Sequence, residues 1–441
     1  MRGAALGAIL LGCISLQAVL CASGDASFFA ARRQALMQRI EGSVAVLQGA
    51  AGTRAYTRFR QDNNFYYLTG VEEPDALLLL DATQHRSILF LPAPKEDAEL
   101  VEGLRLFPGP DARKATGIDE VLDLSRFRDE MEKRKKTFQF LFTPSSPYET
   151  AATSRDRALK HDAAQQRDAW DGRLSREAAF EKNLKEKLGR SVRIRDLAPI
   201  LDAMRRIKDA QEIERLREAG RIGALGLKEA MRSAAPGMYE YQLAALAEYL
   251  FLWHGASGPA FSPLVGSGPN ARLWHYSLNH RKMEPGDLVV MDFGADYRYY
   301  QSDIARTFPV SGRFSEEQAK IYQAVLHAQK AVLTKVRPGS TFEALEEAAR
   351  GALKPFGYDT PMPHRVSHYV GMSSHDPGED EPFAAGVVLA VEPGVYLPDK
   401  NLGIRIEDTV LVTGEGCEIL SADVPKEIAE IEKLMAERGS R

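Results

Sequence analysis

The carboxyl-terminal part of this chain repeats itself, which restricts it to folds made from two copies of one unit. His275, Gly286, Val289, Val290, Asp292 and Gly294 return as His375, Gly386, Leu389, Ala390, Glu392 and Gly394, each displaced by 100. Upstream, the helix-ending Pro236-Gly237 returns as Pro338-Gly339. Two copies of a helix-helix-strand-strand unit bring acids from each copy to a shared centre. Four buried acids cannot stay ionised in one pocket unless cations neutralise them. The repeat therefore predicts a metal centre.

The first acid pair ends one apolar run and begins the next. Leu288 to Phe293 is a buried-strand pattern carrying Asp292, and Asp303 to Phe308 alternates like a half-buried strand. Ala295 to Ser302 is long enough for a hairpin connection, so Asp292 and Asp303 are expected to face each other across neighbouring strands. The second copy runs Val387 to Glu392 and then Gly403 to Val410, where period two puts Arg405, Glu407 and Thr409 on one face.

Between Glu392 and the first copy lie His364, His368 and His375, three of nine histidines within twelve residues. Carboxylates with an imidazole and no nearby cysteine suit hard or borderline divalent ions such as Mn, Co, Fe or Zn. Two ions balance four carboxylates, and a pair about 3.5 to 4 Å apart is a device for making hydroxide at neutral pH.

These residues resemble the metallopeptidases of the pita-bread fold, and among them the Xaa-Pro aminopeptidases (aminopeptidase P, family M24). The resemblance covers nearly the whole chain after the first 25 residues. It implies a catalytic domain with a pseudo-twofold repeat, preceded by a smaller α/β domain of the creatinase type. By resemblance, Asp292, Asp303, His368, Glu392 and Glu407 bind two divalent ions, manganese first and cobalt, iron or zinc as alternatives. Asp303 and Glu407 are then the bridges, and Glu392 is the general base for attack by the bridging hydroxide. His275 corresponds to the histidine near the scissile carbonyl and His375 to the one that stabilises the oxyanion. His364 and Arg405 stand behind the ligands or face the substrate. Arg365 departs from the glycine usual after the first histidine of this loop.

The amino-terminal half fits the same family. Asp62 to Gly70, Glu73-Pro74-Asp75 and the strand-like Ala76 to Leu80 resemble the extra domain of Xaa-Pro aminopeptidases and prolidases. Phe65, Tyr66 and Tyr67 read as an aromatic strand filling that domain's core. At 441 residues the chain divides into an α/β domain over 26–196 and a catalytic domain over 197–441. Charge-rich Ser125 to Arg195 reads as solvated helix and connector. Helices are expected from Asp209 to Ser233, Tyr239 to His254, Ser315 to Val336 and Thr341 to Phe356.

Composition excludes more than it selects. The formal net charge of -4 gives no broad attraction to nucleic acid. No glycine-rich phosphate loop stands in a strand-helix setting, and no nucleophile-elbow pattern occurs. Residues 1–24, with Arg2 ahead of an apolar run, read as a signal peptide for a periplasmic or secreted protein, an uncleaved membrane anchor being the alternative. Cys417 is then left alone and forms no internal disulfide. The function expected is release of the residue that precedes a penultimate proline, from a homodimer or homotetramer as in the family. The alternatives are a prolidase, in which Arg365 or Arg405 would hold the dipeptide carboxylate, and a non-catalytic peptide-binding relative.

Overall fold

Leu77–Asp81 is buried at every position and Arg86–Leu91 at all but its first, the signature of strands covered on both faces. In this computed structural model they lie inside a six-stranded sheet. The strand order is Glu120–Asp123, Arg86–Leu91, Leu77–Asp81, Val44–Gln48, Leu141–Thr143, Ile194–Asp196. The two pairings among Val44–Gln48, Leu77–Asp81 and Arg86–Leu91 are antiparallel and the other three are parallel, giving a mixed α/β sheet. Met131, Leu184 and Leu188 from two helices pack on Val46, Leu79, Ile88 and Phe90 to close its core. The structure describes residues 25–441 apart from 54–56, 94–104, 146, 148–153, 190, 359–361, 438 and 440–441. The expected signal segment 1–24 lies outside the described residues.

The aromatic run of this first unit is a helix, Asn63–Thr69, and not the strand its composition suggested. Asp62 caps it by accepting from the Phe65 N–H, and Gly70 ends it in the left-handed region at φ 65°. Phe65, Tyr66 and Tyr67 are all buried, so the core role stands while the element type changes.

Glu149–Arg167 and Asp202–Arg441 form the second unit. Helix Arg155–Arg167, which the expected boundary at 196/197 assigns to the first domain, thus packs with the second unit. The repeat is visible here element by element. Helices Ala210–Ser233 and Glu240–Trp253 precede strands Leu264–Ser267, Leu288–Phe293 and Ile304–Pro309. Helices Glu316–Leu333 and Phe342–Leu353 precede strands Ser367–Tyr369, Val388–Val391 and Asp408–Val412. Each set of three strands pairs antiparallel, with the middle strand central in both copies. Both long helices begin with capping boxes, Asp209 with Glu212 and Ser315 with Gln318.

Two threonines join the copies. Thr409 Oγ1 accepts from the Asp303 N–H and donates to its carbonyl, both at 2.8 Å. Thr307 Oγ1 accepts from the Arg405 N–H at 2.9 Å and donates to its carbonyl at 3.0 Å. A shift of 102 converts one arrangement into the other. On the same shift Ala305 becomes Glu407, and the Glu407 N–H donates to the Ala305 carbonyl at 2.9 Å.

The strand expected over 403–410 is broken. Leu402–Arg405 pairs with Gly394–Leu397, whereas Asp408–Val412 pairs with Val388–Val391. Ile406 and Glu407 lie at the change between sheets, so a single period-two face does not run through them.

Candidate metal centre

The duplicated strands deliver the acids in different registers. Asp292 stands opposite Ala305, which places Asp303 one pleat away on the same face, a diagonal neighbour and not the direct partner expected. In the second copy the ladder ends at Val391 opposite Asp408, so Glu392 and Glu407 leave it side by side. The copies therefore share a backbone plan, while Asp303 and Glu407 occupy positions that the repeat does not equate.

The structure gathers the five expected residues. Ligand atoms of Asp303, His368 and Glu407 all lie within 4.8 Å of one another. His368 Nε2 is 3.4 Å from Glu392 Oε1 and 3.7 Å from Asp303 Oδ2. Asp292 accepts from Arg405 Nη1, whose Nε lies 3.9 Å from Glu392 Oε2.

Their chemistry fits cations. Burial, then repulsion from Asp292 and Glu392, pushes Asp303 well above the usual carboxylate range. Burial, then Asp303, Asp292 and Glu392, does the same to Glu407. Glu392 is pushed up to about 8 by burial, with Arg405 opposing and Asp292 adding to the shift. Asp292 Oδ1 and Glu407 Oε2 are buried and receive no hydrogen bond from the described residues. His368 Nδ1 lies 3.1 Å from the Tyr369 carbonyl, an acceptor, so the proton sits on Nδ1 and the Nε2 lone pair faces the acids. Lone pairs from carboxylates and imidazole converging on one centre are stable only around positive charge. Four carboxylates and one nitrogen are a donor set for divalent metal.

The other expected residues surround this centre. His375 stacks on His368 with ring centroids 3.8 Å apart, and burial lowers its pKa to about 4. His364 Nε2 lies 2.8 Å from Tyr396 Oη, and its Nδ1 is 2.8 Å from the Arg365 carbonyl. Arg405 Nε donates to the same Tyr396 Oη at 2.8 Å and Nη2 donates to the Trp274 carbonyl at 2.8 Å. Burial raises the Tyr396 phenol to about 12, so it keeps its proton and donates it to His364 Nε2. Trp274 packs on His275 and stacks on His364, with centroids 4.2 and 5.8 Å away. Arg365 is exposed and spans Asp380 with two 3.3 Å contacts.

Two neighbours were not identified from sequence. Tyr396 joins Arg405 to His364, and its only sequence signal is its place on the hairpin strand directly after Glu392-Pro393. Arg157 contacts His275 from helix Arg155–Arg167 at 2.8 Å, and its place in a charge-rich stretch gave no signal.

Comparisons with known proteins point to one family. A sequence model of metallopeptidase family M24 matches residues 214–414, and one of the aminopeptidase P N-terminal domain matches 29–141. The Xaa-Pro aminopeptidase of Escherichia coli is 32% identical over 92% of this chain and 97% of its own length. Human Xaa-Pro aminopeptidase 3 is 32% identical over 86% and 77%. The structure of E. coli aminopeptidase P with the inhibitor Pro-Leu superposes with a TM-score of 0.79, at 31% identity over 93% of this chain and 98% of that one. A zinc-substituted form of that enzyme in complex with product gives a TM-score of 0.78 at 31% identity, over 93% and 98%. The likeness spans both the six-stranded sheet and the duplicated acid-bearing unit, and on that ground the chain belongs to metallopeptidase family M24, within the aminopeptidase P group.

Proposed function

We propose that this protein is a dinuclear-metal exopeptidase that releases the amino-terminal residue from peptides whose second residue is proline. The observation that carries the reading is the pair of buried oxygens on Asp292 and Glu407 that no described residue donates to, set among Asp303, His368 and Glu392. Two divalent ions held by these five residues would supply Lewis-acid activation of a water and of the scissile carbonyl. Manganese is the first choice, with cobalt, iron and zinc open to the same donors.

The chain's own groups complete the chemistry. Glu392, raised to about 8 without metal and held ionised once cations occupy the centre, takes a proton from the attacking water and returns it to the leaving nitrogen. His275 and His375, both held neutral, offer N–H donors to the carbonyl oxygens of the substrate. The stacked Trp274 and His364 form a flat wall suited to a pyrrolidine ring. Proline lacks the N–H that most peptidases bind, and such a wall needs none.

The prolidase alternative requires a spare cation for the dipeptide carboxylate. Arg405 is buried and committed to Asp292, Tyr396 and the Trp274 carbonyl, and Arg365 is paired with Asp380. Both observations favour the aminopeptidase. Kinetics on Xaa-Pro and Xaa-Pro-Xaa-Xaa with each metal test the choice. Turnover of the tetrapeptide is expected, and turnover of the dipeptide alone would overturn it. Export through residues 1–24 stands as a further proposal, which N-terminal sequencing of the protein recovered from its native cells would check.

A further inference from the structure

We infer that Arg157 is a positioning residue that sets the tautomer of His275. The inference rests on the reading of His275 as a substrate-facing donor. Arg157 Nη2 lies 2.8 Å from His275 Nδ1. A guanidinium has only donors, so in this pair Nδ1 must be the acceptor and the ring proton must sit on Nε2. The ring is held for this contact by Trp274, whose centroid is 4.2 Å away. It stands within the field of Arg405 and His375, among the residues of the centre. Nε2–H is thereby left as the ring's donor in a site where charge develops on carbonyl oxygen.

The guanidinium is placed by its helix and not by its immediate surroundings. Arg157 itself is exposed, on the first turn of Arg155–Arg167. Two positions earlier in the chain, Arg155 forms a two-pronged bridge to Asp202, with Nη2 2.8 Å from Oδ1 and Nη1 on Oδ2. Asp202 is 9% exposed, so the bridge is shielded and anchors the start of the helix. Ala158, adjacent to Arg157, is buried and packs the same turn down. The segment therefore works as a strap whose purpose at the centre is one donor aimed at one imidazole nitrogen.

The test uses full-length protein loaded with zinc, which is diamagnetic, and labelled with nitrogen-15 at histidine. Long-range proton–nitrogen correlation reports the tautomer, and H275N identifies the signal. The Nε2–H form is expected in the unaltered protein and in R157K, which retains a donor. In R157M, and in D202N, which frees the strap, the signal should shift toward the Nδ1–H form. For the tetrapeptide, R157M should lower kcat/KM about tenfold, the scale for partners that orient a functional histidine. The same change made in an H275N background should cost less than about twofold, because the two residues act as one unit. A tautomer unchanged in R157M, or an equal loss in both backgrounds, would overturn the inference. If no Xaa-Pro peptide is turned over, the functional reading fails while the nitrogen spectrum still decides the role of Arg157.

Discussion

At the residue scale the centre is held together by groups that oppose one another until cations arrive. Asp303, Glu392 and Glu407 are each raised by burial and by their neighbours' charge, so replacing one carboxylate with an amide removes repulsion as well as chemistry. Glu392→Gln is accordingly expected to act in opposite directions on two readouts. Its kcat should fall by about 100-fold or more, the range for loss of a general base. The melting temperature of the metal-free variant should rise above that of the metal-free parent at pH 8, because a buried charge has been replaced by a neutral isostere. A fall in both would show that Glu392 is needed for the fold and not for proton transfer. Asp292 with Glu392 and His275 with His375 were legible in the sequence because duplication repeats them at a fixed spacing. Asp303, His368 and Glu407 were legible from their strand and loop context and the family resemblance. Tyr396 and Arg157 were not, since their partners lie 32 and 118 positions away and neither sits in a repeated pattern.

The element scale explains why strands so alike in sequence end differently. Gly294 follows Asp292 because a Cβ there would stand 1.6 Å from the Ser302 carbonyl oxygen, which closes the turn that brings Asp303 back. In the second copy the chain changes sheets at Ile406-Glu407, a change that alternation alone cannot reveal because both halves of the run are buried. Helix starts were legible at Asp209, Ser315 and Thr341, where a capping side chain precedes a long run of helical period. The seven-residue helix Asn63–Thr69 escaped notice because about two turns, six of seven positions buried, carry no 3.6 period. The threonine joints between the copies give a prediction at this scale. Thr409→Val leaves the buried Asp303 N–H and carbonyl unpaired, and Thr307→Val does the same to Arg405. Each should destabilise the protein by about 1 to 3 kcal/mol per group left unpaired, measured by urea unfolding. Only Thr409→Val acts on a residue of the acid cluster itself, so it should also weaken metal binding by about tenfold in a competition titration. Equal metal affinity in the two variants would mean that the joints serve the fold alone.

At the scale of the whole molecule, two sets of buried acids depend on pH in opposite directions. Asp376, held by Arg205 and Lys208, and Asp408, held by Arg306 and Lys426, are lowered by those cations against the cost of burial. Their contribution to stability is present above the carboxylate range of the unfolded chain, near about pH 4, and is lost as pH falls through their folded values. Asp303, Glu392 and Glu407 are raised, so in metal-free protein their contribution is complete below that same range. It is lost as pH rises, for Glu392 through about 8. Metal-free protein should therefore show a stability maximum flanked by losses on both sides. Bound cations hold the second class ionised in the folded state, which removes the alkaline loss and leaves the acid one. The difference in melting temperature between manganese-loaded and chelator-treated protein should then widen steadily from about pH 4.5 to about pH 8. A constant difference over that interval would mean that the clustered carboxylates are not the groups whose ionisation the metal supports, and with them the assignment of the centre would fall.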